Sequence, residues 1–194
     1  MKNSINMISI IFLLLSYHSV TNAQVISSKL LGDFQEDWKK HWIERNLFQL
    51  PKQYHGETGL SEKSTPYRVV EDKHNLVLKV ESNESTTALW RMLNIHPVNF
   101  GRIKWRWKVD RSLSHNKRER QKVGDDYAAR LFVVFEPHLL SWKTRALCYV
   151  WAGKEPVGSI YKNPYAKSVG TIVIESGNDG TGKWMSEQRN FVMD

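Results

Sequence analysis

From Arg102 to Val109 the chain alternates without a fault: Ile103, Trp105, Trp107 and Val109 are apolar, while Arg102, Lys104, Arg106 and Lys108 are basic. On a helix this order would scatter charge around the cylinder, whereas an extended chain sorts it into one apolar and one cationic face. The pattern predicts a strand. The same period of two sets in near Tyr67, marks Leu76–Glu81 as a strand, and marks Thr87–Leu93 as another beyond the polar turn Ser82–Ser85. Asp126–Phe135, Ala146–Trp151 and Thr171–Glu175 read as strands too, and Trp184–Met193 as strand or mixed structure after the Gly-rich turn Asn178–Gly182. Between Asp33 and Leu60 the pattern is irregular: a short helix over Asp37–Arg45 fits the spacing, and Pro51, Gly56 and Gly59 interrupt it. Arg111–Val123 is polar and basic, with Glu119 its sole acid, and reads as a mobile surface loop. Many strands parted by turns, with little helix, predict a mainly β fold: an antiparallel β-sandwich, jelly-roll-like.

One segment departs from this period. Met7–Leu15 is nearly all apolar, Lys2 is the only charged residue before Lys29, and Thr21-Asn22-Ala23 sets small residues ahead of Gln24. That is the pattern of a secretory signal peptide over residues 1–23, followed by a single domain over 24–194. The apolar run is about half of the roughly 20 residues that a membrane span needs, so no transmembrane anchor is expected after cleavage. The expected location is periplasmic or secreted.

Export changes how composition is read. The 28 Lys and Arg against 20 Asp and Glu give a formal charge of +8, which loss of Lys2 lowers by one. For an exported chain this surplus favours an anionic partner, a polysaccharide or another envelope component, and not nucleic acid. Cys148 is the only cysteine, so an internal disulfide cannot form, and the residue reads as a small core side chain. Eight Trp, seven Tyr and seven Phe supply the apolar mass for that core.

Face assignment then suggests a site. On Asp126–Phe135 the set Tyr127, Ala129, Leu131, Val133 and Phe135 suits the core, which turns Asp126 and Arg130 to the other side. On the neighbouring apolar strand Cys148 and Val150 suit the core, which turns Tyr149 and Trp151 away from it. If the two strands are adjacent, Asp126, Arg130, Tyr149 and Trp151 share a surface that offers charge and flat rings together, with Arg106 as an accessory cation. Sugars need that combination, because their rings present apolar faces beside hydroxyl groups. The competing reading is an Asp126–Arg130 ion pair with the rings packed under a loop.

Chemistry is less legible. Glycoside hydrolysis needs two carboxyl groups about 5 to 10 Å apart, and among Asp125, Asp126, Glu175 and Glu187 no spacing is diagnostic. A calcium role for Asp125 with Asn178 and Asp179 lacks the full loop pattern of a calcium site. The seven His show no zinc-like spacing, and neither a nucleophile elbow nor a phosphate loop occurs. No metal or cofactor is implied. Three functions stay open: a module that binds a glycan on an open sheet face, a glycan-active hydrolase or lyase using Asp126 or Glu175, and a structural envelope protein.

Several segments together resemble a known family. Trp105-Arg106-Trp107-Lys108-Val109-Asp110, the run Gly124–Phe135 and Leu147-Cys148-Tyr149-Val150-Trp151 resemble the bacterial exported family called domain of unknown function 3047, as do Gly32-Asp33-Phe34, Ser176-Gly177, Gly182-Lys183-Trp184 and Glu187–Asn190. The resemblance implies a secreted or periplasmic sandwich domain and carries no established activity. Similar proteins continue past the position of Asp194, so the expectation is a domain lacking its closing strands.

Overall fold

A computed structural model describes residues 9–16, 31–32, 34, 38–46, 67–81, 87–94, 101–113, 118–135 and 145–194. The expected cleavage point at Ala23, the breaks at Pro51, Gly56 and Gly59, and the Ser82–Ser85 turn lie outside them. Among the described residues there is no α-helix. The strands are β1 (Ser9–Ser16), β2 (Ile43–Asn46), β3 (Tyr67–Asp72), β4 (Asn75–Val80), β5 (Thr87–Asn94), β6 (Arg102–Trp107), β7 (Ala129–Phe135), β8 (Arg145–Ala152), β9 (Ile160–Lys162), β10 (Val169–Ser176) and β11 (Met185–Asn190). The fold is mainly β, as the alternation predicts. Where a short helix fits the spacing, the chain instead makes one 3-10 turn at Trp38–Lys40 and then enters β2.

Seven strands form one sheet in the order β2-β5-β1-β7-β8-β10-β9, and β6 with β11 and β3 with β4 form two-stranded ladders. Both ladders are antiparallel, as are the β2–β5, β7–β8 and β9–β10 pairs. Three pairings run parallel: β1 with β5, β1 with β7, and β8 with β10. A parallel neighbour needs a crossover, and the segment 153–168, which contains β9, provides one between β8 and β10. Ser9–Ser16, which overlaps the apolar run, thus contributes a strand between β5 and β7, a placement that periodicity alone does not suggest.

One face of the large sheet packs on both ladders. Leu131 and Val133 of β7, Tyr149 and Trp151 of β8 and Ile172 of β10 meet Trp107 of β6, Tyr67 of β3 and Val80 of β4 in a single buried cluster. Trp105 stacks on Tyr149 at 5.3 Å, and Trp107 meets Trp151 edge-on at 5.9 Å. Each such ring pair contributes about 0.5–1.5 kcal/mol beyond the area it buries. The opposite face of the sheet carries a second, smaller cluster of Cys148, Val150, Ala152 and Val173 under Tyr127 and Tyr161.

Glycine and turn geometry fix two approaches. A Cβ on Gly153 would lie 2.3 Å from the Leu113 carbonyl oxygen, so only glycine lets the 111–113 segment cross the end of β8. The β3–β4 hairpin turns on Lys73 and His74, both at positive φ (51° and 66°), where a two-residue turn demands left-handed backbone that Asn-Gly adopts more easily.

Candidate functional site: a cationic ladder

Strand alternation places the basic residues of β6 on its outer face. In the ladder Arg102 lies opposite Asn190, Lys104 opposite Gln188 and Arg106 opposite Ser186, so three cations and three hydrogen-bonding side chains share one surface. Arg102, Lys104, Arg106, Ser186 and Gln188 are all exposed. Among the described residues no carboxylate forms an ion pair with Arg102, Lys104 or Arg106. On the opposite face of the same ladder Ile103, Trp105, Trp107 and Met185 pack against the core, with Arg189 opposite Ile103 and Glu187 opposite Trp105. Burial of the Trp side chains is therefore what holds the charges outward.

Trp184 closes one end of this surface. The Arg106 guanidinium lies 5.1 Å from the centre of its ring and the Lys108 ammonium 5.2 Å away. Its indole N–H donates to Asp72 Oδ2 at 2.8 Å, and Lys108 Nζ donates to the same oxygen at 2.6 Å. Those two bonds, Lys108 first, hold the Asp72 carboxyl below its usual range. Asp72 sits at the end of β3, far away in sequence, and no local pattern marks it. Ser186, Gln188 and Asn190 carry no such signal, since Glu187 and Arg189 between them are polar too and β11 shows no apolar–polar alternation.

The residues expected to share a surface divide between two faces. Arg130 pairs with Val150 and Leu131 with Tyr149, which sends Tyr149 and Trp151 to the core side with Leu131. Both rings are fully buried there, Trp151 donating its indole N–H to the Gly177 carbonyl. The expected orientation of β8 is thus inverted. Cys148 and Val150, not the two rings, share the side of Arg130, because the larger rings fill the gap between layers. Arg106 stands apart from both groups, on the ladder.

Arg130 belongs to a nearly closed polar cluster. Its side chain is 10% exposed, and it donates to Asp125 Oδ2 at 3.3 Å and to the Asp125 carbonyl. Its guanidinium lies 4.6 Å from the Tyr127 ring centre. Asn163 Nδ2 donates to the same Asp125 oxygen at 3.1 Å, and the Tyr127 and Tyr161 hydroxyl groups share a hydrogen bond of 2.7 Å. Burial opposes the charge of Arg130, but Asp125 outweighs it and the guanidinium pKa rises. The partner of Arg130 is therefore Asp125, with the half-buried Asp126 adding a smaller attraction. Burial pushes the Cys148 thiol well above its ordinary range and the Tyr161 phenol up to about 12. A thiol held neutral in this way fits a core residue.

The basic segment 111–123, read as a mobile loop, is pinned where it is described. Its one acid, Glu119, is 2% exposed and accepts backbone N–H donors from Gly153, Lys154 and Glu155. Arg120 donates to Glu155 Oε2 at 2.7 Å. Two of the three side chains considered for calcium have other partners: Asp125 has Arg130 and Asn163, and the Asn178 amide Oδ1 accepts the Ser112 N–H at 3.0 Å. Among the described residues no three His, Cys, Asp or Glu side chains gather to hold a metal.

Glu175 and Glu187 do come together. The register of β10 against β8 shifts between Val173 and Glu175, setting Glu175 opposite Trp151, while Glu187 lies opposite Trp105 in the β6–β11 ladder. A bulge of this kind re-aims a side chain. Burial first, and then the charge and hydrogen bond of Glu187, raise the Glu175 carboxyl above its usual range.

These segments all lie within the region matched by a family model described as protein of unknown function, DUF3047, which covers residues 52–194. The chain belongs to this family. Neither a curated protein nor a solved structure matches it. In this DUF3047 protein the cationic ladder, Trp184 and the Arg130 cluster are thus all inside the family region. No helix among its described residues is long and apolar enough to cross a membrane.

Proposed function

We propose that this DUF3047 chain is an exported binding module that recognises an anionic glycan of the cell envelope through the outer face of β6 and β11. The single observation that carries the reading is the row Arg102, Lys104 and Arg106, set rung by rung against Asn190, Gln188 and Ser186 and exposed. Cations spaced along a strand match charges repeated along a polymer, and amide and hydroxyl side chains between them match sugar hydroxyls. Trp184 holds Arg106 and Lys108 in place at the end of the row. Export rests on the N-terminal pattern of residues 1–23.

A glycan-active enzyme is the second reading, and the nearness of Glu187 to Glu175 favours it, since burial and that neighbouring charge raise the Glu175 carboxyl above its usual range.

The test is titration of the full chain with a polyuronate and with a neutral polyglucan of equal length. The expected result is salt-sensitive binding of the polyuronate alone, without product release. Each exposed charge contributes up to about 0.5 kcal/mol, so Arg102→Gln, Lys104→Gln and Arg106→Gln combined should weaken binding about tenfold. Equal binding of both polymers, or an unchanged affinity in the triple variant, would reject the ladder as the site. Shortened polymer that disappears in Glu175→Gln would establish the enzyme instead.

A further inference from the structure

The large sheet has a guest at its middle. β1 is hydrogen-bonded on both edges, parallel to β5 from Ile10↔Ala88 to Ser16↔Asn94 and parallel to β7 from Ser9↔Ala129 to Leu15↔Phe135. In the strand order it alone joins the β2–β5 pair to the block β7-β8-β10-β9. The two strands that flank it are about two strand spacings, close to 10 Å, apart, too far to bond to each other without the sheet closing up. On the core side they present Leu89, Leu93, Leu131 and Val133, all buried, so any strand between them needs apolar residues at alternate positions. The sequence Ser9–Ser16 carries no charge and fulfils this.

The same residues form the apolar part of the expected leader. A chain cleaved near Ala23 would hold two facing strand edges with unpaired N–H and C=O groups, which is a template for an incoming strand. We propose that the gap between β5 and β7 is a strand-acceptor site, filled by the chain's own residues 9–16 until the leader is removed and then by an extended apolar segment of another polypeptide. The occupant runs parallel to both edges, is recognised through main-chain hydrogen bonds on two sides, and sets apolar side chains toward the core. Peptide chemistry of this kind is separate from the anionic polymer assigned to the β6–β11 face, and the two assignments share only the leader reading of residues 1–23.

The test uses the full chain carrying a specific protease site within residues 20–30, folded and then cut. The cut segment is expected to stay bound and to be displaced by excess labelled peptide with the sequence of residues 9–16, with lysines added at its ends. The same peptide with proline at the position of Leu13 should not be taken up, because it lacks a ladder N–H. Amide exchange across Ala88–Asn94 and Ala129–Phe135 should speed up at least about tenfold when the segment is washed away, and slow again on adding peptide. A second variant, Leu13→Pro in the uncut chain, should show the same fast exchange in β5 and β7 while β10 and β11 stay protected. The proposal is overturned if the cut segment leaves and both strands keep slow exchange, which would mean that the sheet closes on itself. Equal uptake of the parent and proline peptides, or aggregation that the parent peptide does not suppress, also overturns it.

Discussion

Arg106 stands exposed on the outer face of β6 with no carboxylate paired to it among the described residues, whereas Arg130 lies 10% exposed on β7 against Asp125 and the Tyr127 ring. Both are strand arginines beside an aromatic ring, yet one is available to a ligand and the other is consumed by the fold. The difference comes from what covers each strand. The outer face of the β6–β11 ladder leaves Arg102, Lys104 and Arg106 exposed among the described residues, so charge there stays hydrated. Over the corresponding side of β7 lie Tyr127, Tyr161 and Asn163, and a cation so enclosed must be paired. Neither member of that pair is fully satisfied, since Arg130 Nε and Asp125 Oδ1 lack hydrogen-bond partners.

The comparison can be broken most sharply in the core. Trp151→Ala, on the strand beside Arg130, should cost about 3–5 kcal/mol in urea denaturation, because a fully buried ring leaves a cavity. A loss below about 1 kcal/mol would mean that the ring is not packed between the layers. Asp125→Ala should be nearly as severe, about 3–5 kcal/mol, since it strands a buried guanidinium. If that variant unfolds at the same denaturant concentration as the parent, Arg130 is no more enclosed than Arg106.

Arg106→Gln should behave in the opposite way. Its unfolding midpoint should stay within about 0.5 kcal/mol of the parent, as for an exposed surface change. Its affinity for a polyuronate should fall about two- to threefold, the loss of one exposed charge contact of about 0.5 kcal/mol. Loss of stability without loss of affinity would reverse the roles of the two arginines.

The smallest effect concerns carboxyl groups and appears only as a slope. Asp72, half-buried and bonded to Lys108 and Trp184, is lowered, while Glu175, half-buried beside Glu187, is raised. A raised carboxyl means that the folded state binds the proton more tightly than the unfolded one. Its favourable contribution is present below the ordinary Glu value of 4.5 and is lost as pH rises through the folded value. Glu187→Gln removes the repelling charge, so stability should fall less steeply above pH 4.5 than in the parent. Parallel stability curves for the two chains, measured by denaturation across that range, would show that the two carboxyl groups do not interact.

How far the sequence goes depends on the contrast within each strand. In β6 every apolar residue is followed by a basic one, so water itself chooses the faces, and both the strand and its cationic surface are legible. In β8 the alternating sets are Cys148 with Val150 and Tyr149 with Trp151, all apolar, and a period of two cannot say which set faces which layer. The structure decides by volume, since the large rings fill the space against Trp105 and Trp107. Asp125 as the partner of Arg130 was similarly hidden, because the turn before β7 brings a main-chain carbonyl and a side chain of the same residue to the guanidinium.

By itself the sequence determined the β class, most strand positions, the outward basic row of β6 and the family likeness, all properties of local alternation and composition. Tertiary structure alone decided that β11 lines up its polar residues with that row, and that Asp72 reaches across from β3 to hold Trp184. It also decided that a bulge brings Glu175 to Glu187, and that Ser9–Ser16 lies between β5 and β7. Each of these is a register or a contact between segments distant in the chain. Such choices depend on which edges and volumes remain to be filled after the local elements have formed, and no local pattern encodes that.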